Sequence, residues 1–180
     1  LDVGRWTNLL VQGNTLYGAN TLAWPHDTAA PSTERWNGNT HLRDPTALAW
    51  QYAHGYYAFA AWATALGAGD QASATPPASP LVFVRPNRYE AGRATIVVYN
   101  WPQQASVSVD LSGAVPVGRG YQIRSVQNIF GTPIASGIYG GGSIAIPMGG
   151  IAPPAPIGGS FQPLPSTEPF FDAFVVTSTP

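Results

Sequence analysis

The clearest pattern in the chain is the alternation ASVSVDL at residues 105–111. Val107, Val109 and Leu111 fall on one side, Ser106, Ser108 and Asp110 on the other. Successive side chains of a strand leave on opposite faces, so this spacing predicts a strand with one buried face. Six further short runs read as strands: LVFVRP (81–86), RATIVVYN (93–100), GYQIRSV (120–126), PIASGIY (133–139), SIAIPM (143–148) and FDAFVVT (171–177). RATIVVYN is apolar enough to predict burial on both faces, and it ends at Trp101-Pro102, where proline removes a ladder donor. Seven short strands separated by Gly/Pro turns predict an antiparallel β-sandwich. GIYGGGS (137–143) lies between two of them with no helix after it, so it reads as a hairpin turn and not a phosphate cradle. The proline-rich stretch 151–169 predicts a long connection over a sheet edge.

The first third of the chain is patterned differently. LLVQ (9–12) and TLAW (21–24) suggest short strands. In 56–66, Tyr56, Phe59, Ala60, Ala63 and Leu66 fall near helical spacing, and Gly67 follows as a stop. TPPASP (75–80) carries three prolines in six residues, which favours an extended linker. The expected organisation is an N-terminal segment over 1–74, a linker over 75–80, and a β-sandwich module over 81–180.

Within the N-terminal segment the tripeptide GNT occurs twice, at Gly13-Asn14-Thr15 and Gly38-Asn39-Thr40, 25 residues apart. Each copy follows an Arg-Trp pair, Arg5-Trp6 and Arg35-Trp36. A fixed period of this size fits a solenoid, in which a turn Asn bonds the backbone and each coil buries its inward residues on the next. The repetition counts about two rungs, whereas solenoids generally need three or more and caps at their ends.

The run from Trp6 to Thr15, WTNLLVQGNT, resembles a coil of a right-handed parallel β-helix. The later run WNGNT at 36–40 with YAFAAWATALGAGDQAS at 57–73 is similar to the ending of many secreted bacterial β-helix proteins. In those, a helix of the form yxFaxWqaatGxDxxS closes the last coil. The stretches VFVRPNRYEAGRATIVVYNW, VDLSG, YQIRSVQNIFGTPIASGIY, IAIPM, APIG and EPFFDAFVV resemble the β-sandwich that follows this ending. Together the matches cover most of the chain. The resemblance implies an all-β fold: terminal coils of a right-handed parallel β-helix, a short capping helix, then an antiparallel sandwich. It carries little about activity, because the family is largely uncharacterised, with carbohydrate-active enzymes among its wider relatives.

Composition narrows the partners. Charged residues make up 9% of the chain against roughly 25% in a typical soluble domain, and the net charge is −1. That gives no electrostatic footprint for nucleic acid. All eight basic residues are Arg. Cysteine is absent, which removes disulfides, thiolate metal sites and cysteine nucleophiles without excluding an extracellular location. No apolar run reaches the ~18 residues of a transmembrane helix. The chain opens in mid-pattern at LDVGRW, as a processed or excised product would.

Candidate chemistry concentrates in the first 62 residues, which hold five of the six tryptophans. Sugar rings present C–H faces that pack on aromatic rings, so Trp24, Trp36, Trp50 and Tyr52 are candidate glycan contacts. Their competing role is to fill the core, as Trp62 does in the middle of the expected helix. Asp27 and His26 are candidate polar partners in the same segment. Glycoside hydrolysis needs two placed carboxyls, and the spacing of Asp27, Glu34 and Asp44 fixes no such pair. Asp44-Pro45 reads as a turn starter, and Glu90 as the ion-pair partner of Arg88 or Arg93. His26, His41 and His54 lack metal-ligand spacing. No cofactor or metal site is therefore expected.

The expectation is a non-catalytic cap or accessory module of a secreted β-helix protein, extracellular or at the cell surface, associated with a polysaccharide. An N-terminal β-helix portion or a neighbouring subunit would cover the first coil. Two other classes compete. One is the C-terminal part of a polysaccharide-degrading enzyme with its catalytic groups upstream. The other is a structural subunit assembled through open strand edges.

Overall fold

A computed structural model describes residues 1–4, 8–18, 20–26, 34–158, 162 and 164–179, with the side chain of His26 outside that set. Strands dominate, with one short helix and several small sheets, none closing into a barrel. The chain divides into two compact units, Leu1–Pro76 and Pro77–Pro180.

The first unit contains strands β1 (Asp2–Gly4), β2 (Leu10–Gln12), β3 (Thr15–Tyr17), β4 (Trp24–His26), β5 (Arg35–Leu42), β6 (Trp50–Tyr52) and β7 (Gly55–Tyr57), then helix α1 (Phe59–Leu66) and β8 (Gly69–Ser73). Two parallel ladders organise them. In one, β1 pairs with β4, and Ala23 bridges in parallel to Trp50 of β6. In the other, β2 and β3 both pair with β5, which pairs on its far side with β8. The chain thus passes along each ladder three times in the same direction. Its inward residues form one apolar cluster, in which Leu22, Ala23, Trp36, Ala49, Trp50 and Trp62 are all at most 3% exposed.

Helix α1 covers the interior at the β5–β6 level. It is Ala-rich and carries no side-chain N-cap hydrogen bond, so packing holds it more than capping does. Trp62 and Leu66 are its buried residues, and Trp62 meets Trp36 edge-on at 5.3 Å. Gly67, in the left-handed conformation at φ 62°, ends the helix. The helix is shorter than the sequence pattern suggests, because Tyr56 and Tyr57 belong to the β6–β7 hairpin.

The second unit contains β9 (Leu81–Pro86), β10 (Arg93–Tyr99), β11 (Ser106–Asp110), β12 (Gly120–Ser125), β13 (Ala135–Ile138), β14 (Ser143–Pro147) and β15 (Phe171–Thr179). A five-stranded antiparallel sheet runs β13-β12-β15-β10-β9, and β11 pairs with β14 in a second sheet. Ile96, Val98, Ile123, Phe174 and Val176 from the first sheet share a core with Val107, Val109 and Ile146 from the second. All seven strands expected from sequence are present.

Two expectations for this unit are corrected. β10 is buried on one face only: Ala94, Ile96 and Val98 point inward, while Arg93, Thr95 and Tyr99 are exposed. The GIYGGGS stretch is no hairpin, since β13 pairs with β12 and β14 with β11. It carries the chain from one sheet to the other. Tyr139, fully buried, ties it down by donating its hydroxyl to the Gly142 carbonyl at 2.6 Å. A local Gly-rich signal could not reveal which strands pair across it.

Candidate functional site

The most concentrated polar chemistry lies along the β2/β3–β5–β8 ladder, where the two GNT copies stack. Thr15 pairs with Thr40, and the backbone N–H of Asn14 donates to Asn39 Oδ1 at 2.9 Å across 25 residues. Gly13 and Gly38 adopt φ of 65° and 67°, a left-handed turn that side chains rarely accept. That turn reverses the side-chain direction and sends the following Asn along the ladder.

A third rung follows, and it is Gly69-Asp70-Gln71. Asn39 donates its backbone N–H to Asp70 Oδ1 at 3.0 Å, and its Nδ2 to Oδ1 and Oδ2 at 2.9 and 3.0 Å. Asn39 Nδ2 also reaches back to the Val11 carbonyl at 3.0 Å. Asn39 is fully buried, so each of these bonds replaces one to water that it cannot make. A Cβ at Gly69 would sit 2.5 Å from Asn37 Oδ1, so a larger residue there would displace the exposed Asn37 side chain.

His41, two residues beyond Asn39, completes the network. Its Nε2 lies 3.0 Å from Asp70 Oδ2, and its Nδ1 lies 3.0 Å from Trp50 Nε1. An indole N–H only donates, so Nδ1 is the acceptor and the proton sits on Nε2, facing Asp70. Burial lowers the His41 pKa below its ordinary value, opposed by the Asp70 hydrogen bond and charge. The rings of Trp50, Phe59 and Trp62 surround the imidazole at centroid distances of 5.4–6.0 Å.

A His–Asp pair invites a catalytic reading, and the geometry opposes it. Both side chains are 0% exposed, and both imidazole nitrogens are committed. An indole stands where a nucleophile would have to be. The pair holds strands together.

The sequence candidates separate on this frame. Trp36 and Trp50 are 2% and 0% exposed, with their rings packed on Trp62, Phe59 and His41. Neither offers a face to a sugar, because the ladder register of β5 and the bridge at Trp50 turn both inward. Trp24 and Tyr52 are half-buried. Asp27, with Arg5 and Trp6, lies outside the described residues, as does the side chain of His26.

Glu34 borders an open groove of about 460 Å³ beside Leu10, Gln12, Trp36 and Gly69. Burial raises its pKa above the usual carboxylate range, with Trp36 acting the other way. Among the described residues no second carboxyl lines the groove, and glycoside hydrolysis requires a pair. Asp44 accepts from the backbone and hydroxyl of Thr46, a turn role, and Glu90 pairs with Arg93 at 3.0 Å. Among the described residues no group of three or more His, Cys, Asp or Glu could hold a metal.

Besides Tyr17 and Tyr56 in the first unit, a row of aromatic residues lies in the second unit, on the outer face of the five-stranded sheet. Phe83 and Tyr99 are 39% and 37% exposed. Tyr99 stacks on Trp101 at 5.6 Å and meets Phe171 at 5.2 Å. Arg85 lies 5.9 Å from the Phe83 ring centre. This row follows from strand alternation: Phe83, Tyr99 and Phe171 occupy the positions that point away from the core. The sequence reading missed it by seeking aromatic residues where they are dense instead of where the alternation sends them outward. Asp70 and His41 were missed too, although G-[N/D]-[T/Q] recurs at 13, 38 and 69. Compared with protein-family models, curated proteins and solved structures, the chain matches none.

Proposed function

We propose that this chain is the non-catalytic closing end of an extracellular parallel β-helix, with Leu1–Pro76 supplying the last coils and their capping helix and Pro77–Pro180, next in the sequence, a β-sandwich. The observation that carries the reading is the direction of the polar ladder and of the burial around it. At the β5–β6 level Trp36, His41 and Trp50 are sealed under α1. Toward the first coil the inward residues Val3, Leu9 and Leu16 are only half-buried. Strands β1, β2 and β3 have no partner on their outer side among the described residues. Such an edge is a template for another strand. A β-helix body ahead of it is the natural cover.

The test is to join the full chain behind an independently folding parallel β-helix. On this account the fusion is monomeric, and the body and Leu1–Pro76 unfold together in one transition at a higher temperature than the same body alone. Separate transitions for the body and for Leu1–Pro76, each at the temperature of its isolated part, contradict it.

The aromatic row Phe83–Tyr99–Trp101–Phe171 favours a second role, contact with a polysaccharide, since stacked rings flanked by Arg85 suit the C–H faces and hydroxyls of sugars. Titration with xylan, pectin and cello-oligosaccharides should change the tryptophan emission of the protein, and Trp101→Ala should abolish the change. Emission unmoved by all three ligands rules that role out for these glycans.

A further inference from the structure

The ladder has a polarity, and its chemistry selects what covers the open edge. Asn14 gives its backbone N–H and its Nδ2 to Asn39 Oδ1, at 2.9 and 3.0 Å. Asn39 repeats the pattern toward Asp70. Between the ladder side chains, donation therefore runs forward and acceptance backward, with Asn39 Nδ2 also bonding the Val11 carbonyl behind it. Asp70 closes the series, because a carboxylate that accepts from Asn39 and His41 has no side-chain N–H to pass on. At the other end the series is unfinished. Asn14 is exposed, its Nδ2 is used on Gln12 and Asn39, and no described donor reaches its Oδ1.

We infer that the edge at β2 and β3 is a docking site for a parallel β-coil that carries Asn, and not Asp, at the ladder position. This rests on the proposed β-helix end and deepens it by naming the covering side chain. The incoming Asn supplies the two donors that the internal rungs supply, a backbone N–H and an Nδ2, both to Asn14 Oδ1. An Asp there would set an acceptor against an acceptor once the two are desolvated together, which costs free energy. The same chemistry disfavours a second copy stacked head to tail, since Asp70 of one copy would face Asn14 of the next. The internal rungs are the model for the contact: the covering coil continues an existing interface with the same partners at the same distances.

The experiment uses the full chain fused behind a β-helix body in three versions, with Asn, Asp or Ala at the ladder position of the coil nearest Asn14. The expected result is a melting midpoint highest for Asn, with Ala and Asp lower by roughly 2–4 °C or more, Asp lowest. In an Asn14→Ala background the gap between Asn and Asp should close. Three equal midpoints, all above that of the unfused body, overturn the ladder assignment and leave the closing-end proposal standing. No stabilisation in any version removes both. Concentration-dependent self-association of the unfused chain, abolished by Asn14→Asp, would place a second copy on this edge and overturn the assignment as well.

Discussion

The two units bury their strands with a different balance of apolar and polar contacts. In Pro77–Pro180, β10 and β11 turn apolar residues inward and fourteen residues form an apolar core, with one buried carboxylate, Asp172, accepting from Ser125 and Gln127. In Leu1–Pro76 the strands are mostly three residues long, and a buried Asn–Asp–His–Trp chain runs beside the apolar cluster. Short strands bury too little area to fix their own register, since that is set where a long alternating face must stay inside. Directional hydrogen bonds supply the missing specification: Asn39 fits only one position between Asn14 and Asp70. A low-dielectric polar network is stable only when complete, so the first unit should fail by losing a partner and the second by losing volume.

The largest effect expected is in the apolar unit. Phe174→Ala removes a fully buried ring and should cost about 3–5 kcal/mol, read from denaturant unfolding of the full chain. The near-ultraviolet signal of the buried tryptophans in the first unit should survive at denaturant concentrations that unfold the second. If both signals are lost together at lower denaturant, the units do not unfold separately and the comparison breaks.

Next comes Asp70→Ala, which removes the acceptor of the Asn39 backbone N–H, of one Asn39 Nδ2 hydrogen and of His41 Nε2, while Nδ2 keeps its bond to the Val11 carbonyl. Taking the low end of roughly 1–3 kcal/mol for each of the three buried donors left unpaired, the loss should be about 3 kcal/mol. Asp70→Asn sharpens the point. It keeps the volume yet turns an NH2 toward groups that already donate, so it should recover less than half of that loss. Full recovery would mean that shape matters at this rung and donor direction does not.

A smaller effect is set by pH. His41 is held neutral in the fold, below its ordinary value of 6.5, whereas the unfolded chain takes up a proton near that value. The unfolded state therefore binds the proton first, and stability is complete above about pH 6.5 and falls as pH drops below it. The first unit should lose on the order of 1 kcal/mol for each pH unit through that window. His41→Gln should remove the slope, as followed by tryptophan fluorescence. The smallest effect is at Arg93, whose pair with Glu90 is about half exposed, so Arg93→Ala should change stability by less than about 0.5 kcal/mol.

The same contrast decides what the sequence could reveal. Alternation is a local signal, so every strand of the second unit was legible in its own residues. Strand pairing was not local, and the Gly-rich stretch before Ser143 was misread because β13 and β14 pair with β12 and β11. In the first unit the GNT period was visible at 25 residues, and those copies do stack. The third rung escaped because α1 lengthens the next interval to 31 residues and Asp and Gln replace Asn and Thr. Dense tryptophans suggested an exposed platform, but position within the register, not abundance, decides exposure. Trp36 sits opposite Val11 and faces inward.

The central claim, that β2 and β3 form the unfinished edge of a parallel ladder, is most directly tested by hydrogen exchange on the full chain. The monomeric chain should exchange rapidly over residues 10–17 and slowly over 35–42, and joining a β-helix coil ahead of it should slow 10–17 to match. Equal slow exchange of both segments in the isolated monomer would show that the edge is already covered, and would contradict the account.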